Sequence, residues 1–180
     1  MADQANPIRD SSMESGLPTD SLLDAVASIE VESWLQAERH ITAAGFWGTF
    51  QWWAGGASAV LAAAASATAF NEAPVVAGVL ALLAAGSAAL VTALRPGDVS
   101  AAHLTSASQY NEIQNLARDS RDDIEAHDAT AVRREIVELR AKWNAVTKSS
   151  PRVPRRLVRV SEKRFVARGL NYYPKPNLAG

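Results

Sequence analysis

Cysteine is absent from the 180-residue sequence, so the chain offers neither a disulfide framework nor a thiolate metal site, which fits a reducing compartment. The sequence also lacks a phosphate-cradling glycine loop and a nucleophile elbow. Its three histidines, His40, His103 and His127, lie too far apart for a metal-binding spacing. We therefore predict that the chain is not an enzyme and that it binds neither a metal nor another cofactor.

Charge is almost absent from the middle of the chain, where Glu72 is the only charged residue between Arg39 and Arg95. The two ends of the chain instead carry charge of opposite sign. Residues 1–40 hold two basic and eight acidic side chains, and residues 148–180 hold nine basic and one acidic, although the net charge is only −1. The small net charge therefore conceals four differently charged sections: an acidic N-terminal part, an uncharged middle, a mixed section and a basic tail.

The uncharged middle consists of two segments, residues 46–70 and residues 74–94, on either side of the sequence "NEA". A helix needs about 20 apolar residues to cross the roughly 30 Å of a bilayer core, and both segments are long enough. Asn71 and Glu72 are poorly suited to hydrocarbon, and Pro74 suits the first turn of a new helix. The pattern predicts a hairpin of two membrane helices with Glu72 at its tip.

A buried hairpin in a soluble bundle is the alternative, since alanine is only weakly apolar. Three features favour the membrane: both segments are apolar all round, aromatic residues crowd the start of the first, and the flanking Arg39 and Arg95 lie on one side of the hairpin. By the positive-inside rule, both termini are expected in the cytoplasm and the hairpin in the inner membrane. The expected interfacial aromatics are Phe46, Trp47, Phe50, Trp52 and Trp53.

Small residues recur every four positions in both segments, which predicts close helix packing in lipid, although chance is an alternative in so alanine-rich a sequence. Hydroxyl side chains accompany them and could bond backbone carbonyls or line a wet path. Together with the seams below, these ladders predict a homo-oligomer. The ladders are Gly55, Ala59, Ala63 and Ala67, then Ala77, Ala81, Ala85, Ala89 and Ala93, and the hydroxyls are those of Ser58, Ser66, Thr68, Ser87 and Thr92.

The flanks predict an all-α chain: an acidic disordered N-terminus over residues 1–19, a helical two-span domain over 20–148 and a basic, proline-containing tail over 149–180. Helices are expected at about 20–45, 98–126 and 129–147. The first either ends before the first span or continues into it without a break, and the second follows a break at "RPGD". Two 4-3 spaced seams predict helix contacts. They are Val99, His103, Ser106, Tyr110, Ile113, Ala117, Ser120 and Ile124, then Val132, Ile136, Leu139, Trp143 and Val146.

The tail carries Pro151 and Pro154, which exclude a simple continuation of the preceding helix. The sequence "RLVRVSEKRFVAR" that follows fits a short strand or an amphipathic piece. Its positive charge has three interpretations: a solvated tail, contact with anionic lipid of the inner leaflet, or nucleic-acid binding.

The arrangement of an N-terminal helix, two spans with a tight turn and then "RPGDVSAAHLTSASQYNEIQNLARD" resembles the SLATT domain family, the SMODS- and SLOG-associating two-transmembrane effectors. The resemblance covers about residues 20–165. It departs from the family pattern at Trp143, where leucine would be expected. The matching positions are His103, Ala107 and Tyr110, then Leu139, Asn144, Ser150, Pro151 and Pro154 in "ELRAKWNAVTKSSPRVP".

The resemblance implies an effector of a bacterial conflict system that breaches the membrane after a nucleotide signal, which a synthesising or sensing partner protein would supply. The residues themselves leave two further classes open. One is a small channel-like or scaffold membrane protein without a defence role, and the other is a soluble helical interaction module.

Overall fold

The computed structural model describes residues 19–70, 73–123 and 129–167, and this part of the chain is all-α, as predicted. Its helices are α1 (Thr19–Phe70), α2 (Pro74–Leu94), α3 (Pro96–Asp123), α4 (Ala129–Ser149) and α5 (Arg155–Ala167). Thr19, expected in the disordered head, already belongs to α1. Residues 1–18, the predicted tip residue Glu72, Ile124 of the first seam and the end of the tail lie outside the described residues.

The longest element is α1, whose 52 residues form a rod about 78 Å long at 1.5 Å per residue. The expected helix at 20–45 and the first span are therefore a single helix without a break. α2 runs antiparallel to the C-terminal half of α1 and begins with Pro74 in its first turn, as the sequence predicted. We call residues 46–70 of α1 together with α2 the apolar hairpin.

The N-terminal half of α1 packs against α3, α4 and α5, and we call this part the polar bundle. α3 follows α2 after a break at Arg95 and runs back along α1, and α4 lies antiparallel to α3. Both predicted seams face this core: His103, Tyr110, Ile113 and Ala117 of α3 are buried. From α4, Val132, Ile136 and Leu139 join them against Leu22, Val26 and Ile29 of α1.

One of the two structures considered for residues 156–168, a short strand, is not the one observed. The segment is helical over its described part, as α5. Pro154 explains the start of this helix, because a proline ends the previous extended stretch and its carbonyl accepts hydrogen bonds from the backbone N–H groups of Leu157 (2.9 Å) and Val158 (3.2 Å). The amphipathic alternative is the one that the structure adopts.

Candidate functional site

The outer surface of the apolar hairpin is the first functional feature. Two helices of the described chain are long and apolar enough to cross a membrane, and only 6% of the most apolar stretch of each is buried. Large apolar side chains point outward, among them Val60, Val75 and Leu82, which are 69%, 79% and 75% exposed. A core helix of a soluble protein would bury such side chains. The exposure therefore favours association with a membrane.

The inner face of the hairpin is narrow and built from small side chains. Ala65 of α1 and Ala84 of α2 are buried there. The Ser58 hydroxyl donates to the Ala84 carbonyl across the interface at 2.9 Å. Small residues at a crossing let two backbones approach, and the shared hydrogen bond fixes their register.

The two predicted small-residue ladders lie elsewhere. Apart from the half-buried Ala77, they are exposed, so the contact between α1 and α2 is made by a different set of residues. At Gly55, a Cβ atom would meet nothing within 4 Å. The prediction that these ladders pack helices therefore concerns contacts outside the single chain. The exposed members are Gly55, Ala59, Ala63, Ala67, Ala81, Ala85, Ala89 and Ala93.

The five hydroxyls of the hairpin all donate to backbone carbonyls, which is one of the two roles considered from the sequence. Ser58 bonds across to α2, and the other four bond three or four residues back in their own helices, at 2.9–3.1 Å. Such bonds satisfy a polar group inside lipid without water.

The aromatic residues of α1 surround the start of the predicted first span. Trp52 and Trp53 are 84% and 76% exposed and border a surface groove with Val60 and Leu61, whereas Trp47 is half-buried between Phe46 and Phe50 at ring distances of 5.5 and 6.1 Å. Exposed tryptophans at a span end are typical of a membrane interface.

The predicted break at "RPGD" is a single left-handed residue. Arg95 has φ 44° and ψ 54°, and its N–H bonds the Val91 carbonyl. Pro96 then starts α3 and is buried. The Ser100 hydroxyl donates to the Ala44 carbonyl at 2.9 Å and so holds the joint against α1. Gly97 lies close to the end of the Gln51 side chain: a Cβ atom there would lie 2.5 Å from Oε1, so a larger residue would require the Gln51 side chain to move.

On the side of this joint away from the apolar hairpin, His40 of α1 and His103 of α3 form a buried pair. Their Nδ1 atoms lie 2.9 Å apart, and both side chains are at most 3% exposed. One Nδ1 must carry a proton and the other must not, so the two rings hold opposite tautomers. Burial, with a smaller effect of His103, lowers the pKa of His40 to about 4, and burial also lowers the pKa of His103. Both rings are therefore neutral near pH 7.

The family-motif residues extend this contact outward. The Tyr110 ring stacks on His40 at 5.6 Å and meets the Trp143 ring edge-on at 6.4 Å. The Tyr110 hydroxyl forms a 2.9 Å hydrogen bond with the Thr147 hydroxyl of α4. Of the other motif positions, Ala107 and Leu139 are buried, Pro151 is half-buried, and Asn144 and Pro154 are exposed. We call His40, His103, Tyr110 and Trp143 the aromatic clamp, because it joins α1, α3 and α4.

A second polar contact joins α1 to α3 farther from the hairpin. The Glu30 carboxylate is buried, accepts from Arg121 at 2.7 Å and from Arg118 at 3.2 Å, and so ties the two helices by charge-assisted hydrogen bonds.

Sequence reasoning missed both cross-helix contacts, although a signal for the first exists. His40 lies 30 residues before Phe70 and His103 lies 30 residues after Ala73, so an antiparallel hairpin brings them to the same level. His103, a member of the first seam, is buried and hydrogen-bonded in this contact.

Within residues 19–70, 73–123 and 129–167, no group of three or more histidine or carboxylate side chains could hold a metal ion. Comparison of the chain with protein-family models, curated proteins and solved structures finds no match.

Proposed function

We propose that this chain is a membrane effector of a bacterial conflict system, in which several copies assemble to permeabilise the inner membrane after a nucleotide-linked signal from a partner protein. The observation that carries the proposal is the exposed apolar surface of the hairpin, joined to the polar bundle by the unbroken helix α1. The defence role and the signal come from the resemblance to SLATT proteins.

Assembly follows from the number of spans. Two helices leave lipid on both sides and cannot enclose water, so a pore needs several hairpins. The exposed ladders provide surfaces on which backbones of neighbouring copies can approach. No titratable group lies in the described part of the spans, so the pore would discriminate poorly between ions.

Orientation and gating complete the proposal. Arg39 and Arg95 stand at the polar side of the hairpin, which the positive-inside rule places in the cytoplasm with both termini. The aromatic clamp then holds α1, α3 and α4 together in a closed state, and a partner's signal opens the assembly by loosening it. A change in the bundle reaches the first span directly, because α1 has no joint between them.

Tyr110→Ala tests this function. The substitution removes the ring stacked on His40 and the hydroxyl bonded to Thr147, so we expect induced expression in bacteria to collapse the membrane potential, admit an impermeant dye and arrest growth. Tyr110→Phe is the matched control, since it keeps the ring and loses only the hydroxyl, and we expect a much weaker effect.

Other outcomes point to the other classes. If strong induction leaves potential and growth unchanged for both variants, even with the activating signal present, a quiet channel-like or scaffold membrane protein is the better account. Recovery of the chain in the soluble fraction without detergent would instead indicate a helical interaction module.

A further inference from the structure

The basic helix α5 is held at a defined place along α1. Arg39 of α1 donates to the Glu162 carboxylate at 2.7 Å, and both side chains are partly buried. Ser161 beside it is fully buried. Arg39 lies seven residues before Phe46, the first residue of the predicted span, which is about 10 Å along the helix axis.

The ion pair also leaves the charge of α5 unbalanced. Glu162 is the only acidic residue between positions 148 and 180, and Arg39 neutralises it. The five cations of the helix are exposed, and within the described residues none of them forms a salt bridge. They are Arg155, Arg156, Arg159, Lys163 and Arg164.

Four of these cations share one face. At about 100° per residue, Arg155, Arg156, Arg159 and Lys163 fall within an arc of about 100°. Ser161 and the half-buried Leu157 and Val158 lie on the opposite side. α5 therefore packs on the bundle with one face and presents a continuous cationic face outward.

We propose that the cationic face of α5 binds anionic phospholipid headgroups of the membrane that the hairpin crosses. The inference rests on the proposed membrane insertion and names a second, lipid-selective contact. Headgroup layers add about 5–8 Å to each side of the hydrocarbon core, and charges act over a Debye length of about 8 Å at physiological salt. Long basic side chains anchored about 10 Å from the span thus reach the charged surface.

A basic helix that only faces solvent would not need to lie close to the span. The cations of α4 provide a comparison within the same chain. α4 also carries exposed cations, Arg133, Arg134 and Arg140, but α4 borders α3 around Leu116 and Ser120, more than 20 residues beyond Leu94. That is about 30 Å from the span, several Debye lengths away. The three α4 arginines are as exposed as Arg155, Arg156 and Arg159, but they lie farther from the span and share their helix with Glu135 and Glu138.

The test uses the full chain in nanodiscs made from phosphatidylcholine alone or with added phosphatidylglycerol. Because the chain has no cysteine, Val160→Cys gives a single labelling site beside the cationic face. Accessibility of a fluorophore there is measured with acrylamide, whose local concentration does not follow charge. We expect phosphatidylglycerol to protect the fluorophore severalfold, and added salt to reverse the protection.

The triple variant Arg155→Gln, Arg156→Gln, Arg159→Gln should lose this protection, with each neutralisation lowering the apparent partition about fivefold. The α4 variant Arg133→Gln, Arg134→Gln, Arg140→Gln should keep it, and so should lysine in place of the three α5 arginines.

Equal acrylamide quenching in both kinds of disc overturns the proposal. So does a loss of protection in the α4 variant that equals the loss in the α5 variant. Protection by inorganic phosphate in phosphatidylcholine discs overturns it in favour of a free-phosphate site, and protection by an oligonucleotide in favour of nucleic acid. A chain that does not enter the discs contradicts the proposed membrane function itself, whereas insertion without any lipid preference contradicts only the role of α5.

Discussion

At the scale of single residues, the histidine pair links proton binding to the packing of α1 on α3. The 2.9 Å contact between the Nδ1 atoms of His40 and His103 exists only while one of them accepts. Protonation of both rings would place two donors and two positive charges in a buried site next to Tyr110. The pair therefore stabilises the bundle only in its neutral form.

This sets the sign of a pH dependence. The pKa of His40 is about 4 in the folded chain and about 6.5 unfolded, so the unfolded state binds more protons between these values. The contribution of the neutral His40 to the free energy of unfolding is complete above pH 6.5, and up to roughly 3 kcal/mol of it is lost as the pH falls to 4. We expect bundle unfolding in detergent, followed by circular dichroism, to move to lower temperature from pH 7 to pH 5.

Replacing both histidines by leucine removes the titrating groups and should flatten that part of the profile. An unchanged slope in the double variant would assign the acid sensitivity to carboxylates instead.

Glu30 illustrates a different residue-scale effect. Its buried carboxylate has two arginine partners on α3, so the cost of removing the charge from water is offset only in the correct register. We expect this ion pair to specify how α1 and α3 align more than it stabilises them.

At the scale of elements, the hairpin has an inner face and an outer face with separate tasks. Ala84 is buried against α1, whereas its neighbour Ala85 is exposed on a ladder. Substitutions at these adjacent alanines of identical size can therefore test two contacts separately, the observed one within the chain and the proposed one between copies.

We expect Ala84→Leu to overpack the inner face, which typically costs about 1–3 kcal/mol, and to separate α1 from α2. Ala85→Leu should leave the hairpin intact and weaken assembly. Distances between spin labels on the two helices and the mass of the detergent-solubilised complex separate the two effects. A strictly monomeric parent that Ala85→Leu leaves unchanged would exclude the ladder as an assembly surface.

Elements were predictable wherever one strong local rule acted alone. The charge-free stretches, Pro74 and "RPGD" predicted α2 and its ends, and the 4-3 spacing predicted the buried faces of α3 and α4. α5 was ambiguous because a short segment with alternating basic residues fits two periods, and its packing against Arg39 is a contact 123 positions away in sequence. The ladders were visible, but local spacing says nothing about which face meets which helix.

At the scale of the whole molecule, the polar bundle and the apolar hairpin lie at opposite ends of α1. The positive-inside rule predicts that the bundle is cytoplasmic and that position 72 faces outward. A cysteine at Glu72 should therefore react with an impermeant thiol reagent in intact cells, while one at the exposed Ser149 should react only after lysis. The absence of native cysteine keeps the background low. The reverse labelling pattern would contradict the orientation.

The unbroken length of α1 has a consequence for insertions and deletions. One alanine added after Gly45 turns everything beyond it by about 100°, so the Ala44–Ser100 and Ser58–Ala84 contacts can no longer form together. One added after Arg95 leaves α1 and α2 unchanged, so the Ser58–Ala84 contact survives and only the joint, with its Ser100–Ala44 bond, has to rearrange. Thermal melts of the two insertion variants should differ accordingly. The helical phase of α1 is therefore fixed by contacts on both sides of Gly45, whereas the joint at Arg95 tolerates an added residue better. This difference limits where the chain can change length during evolution.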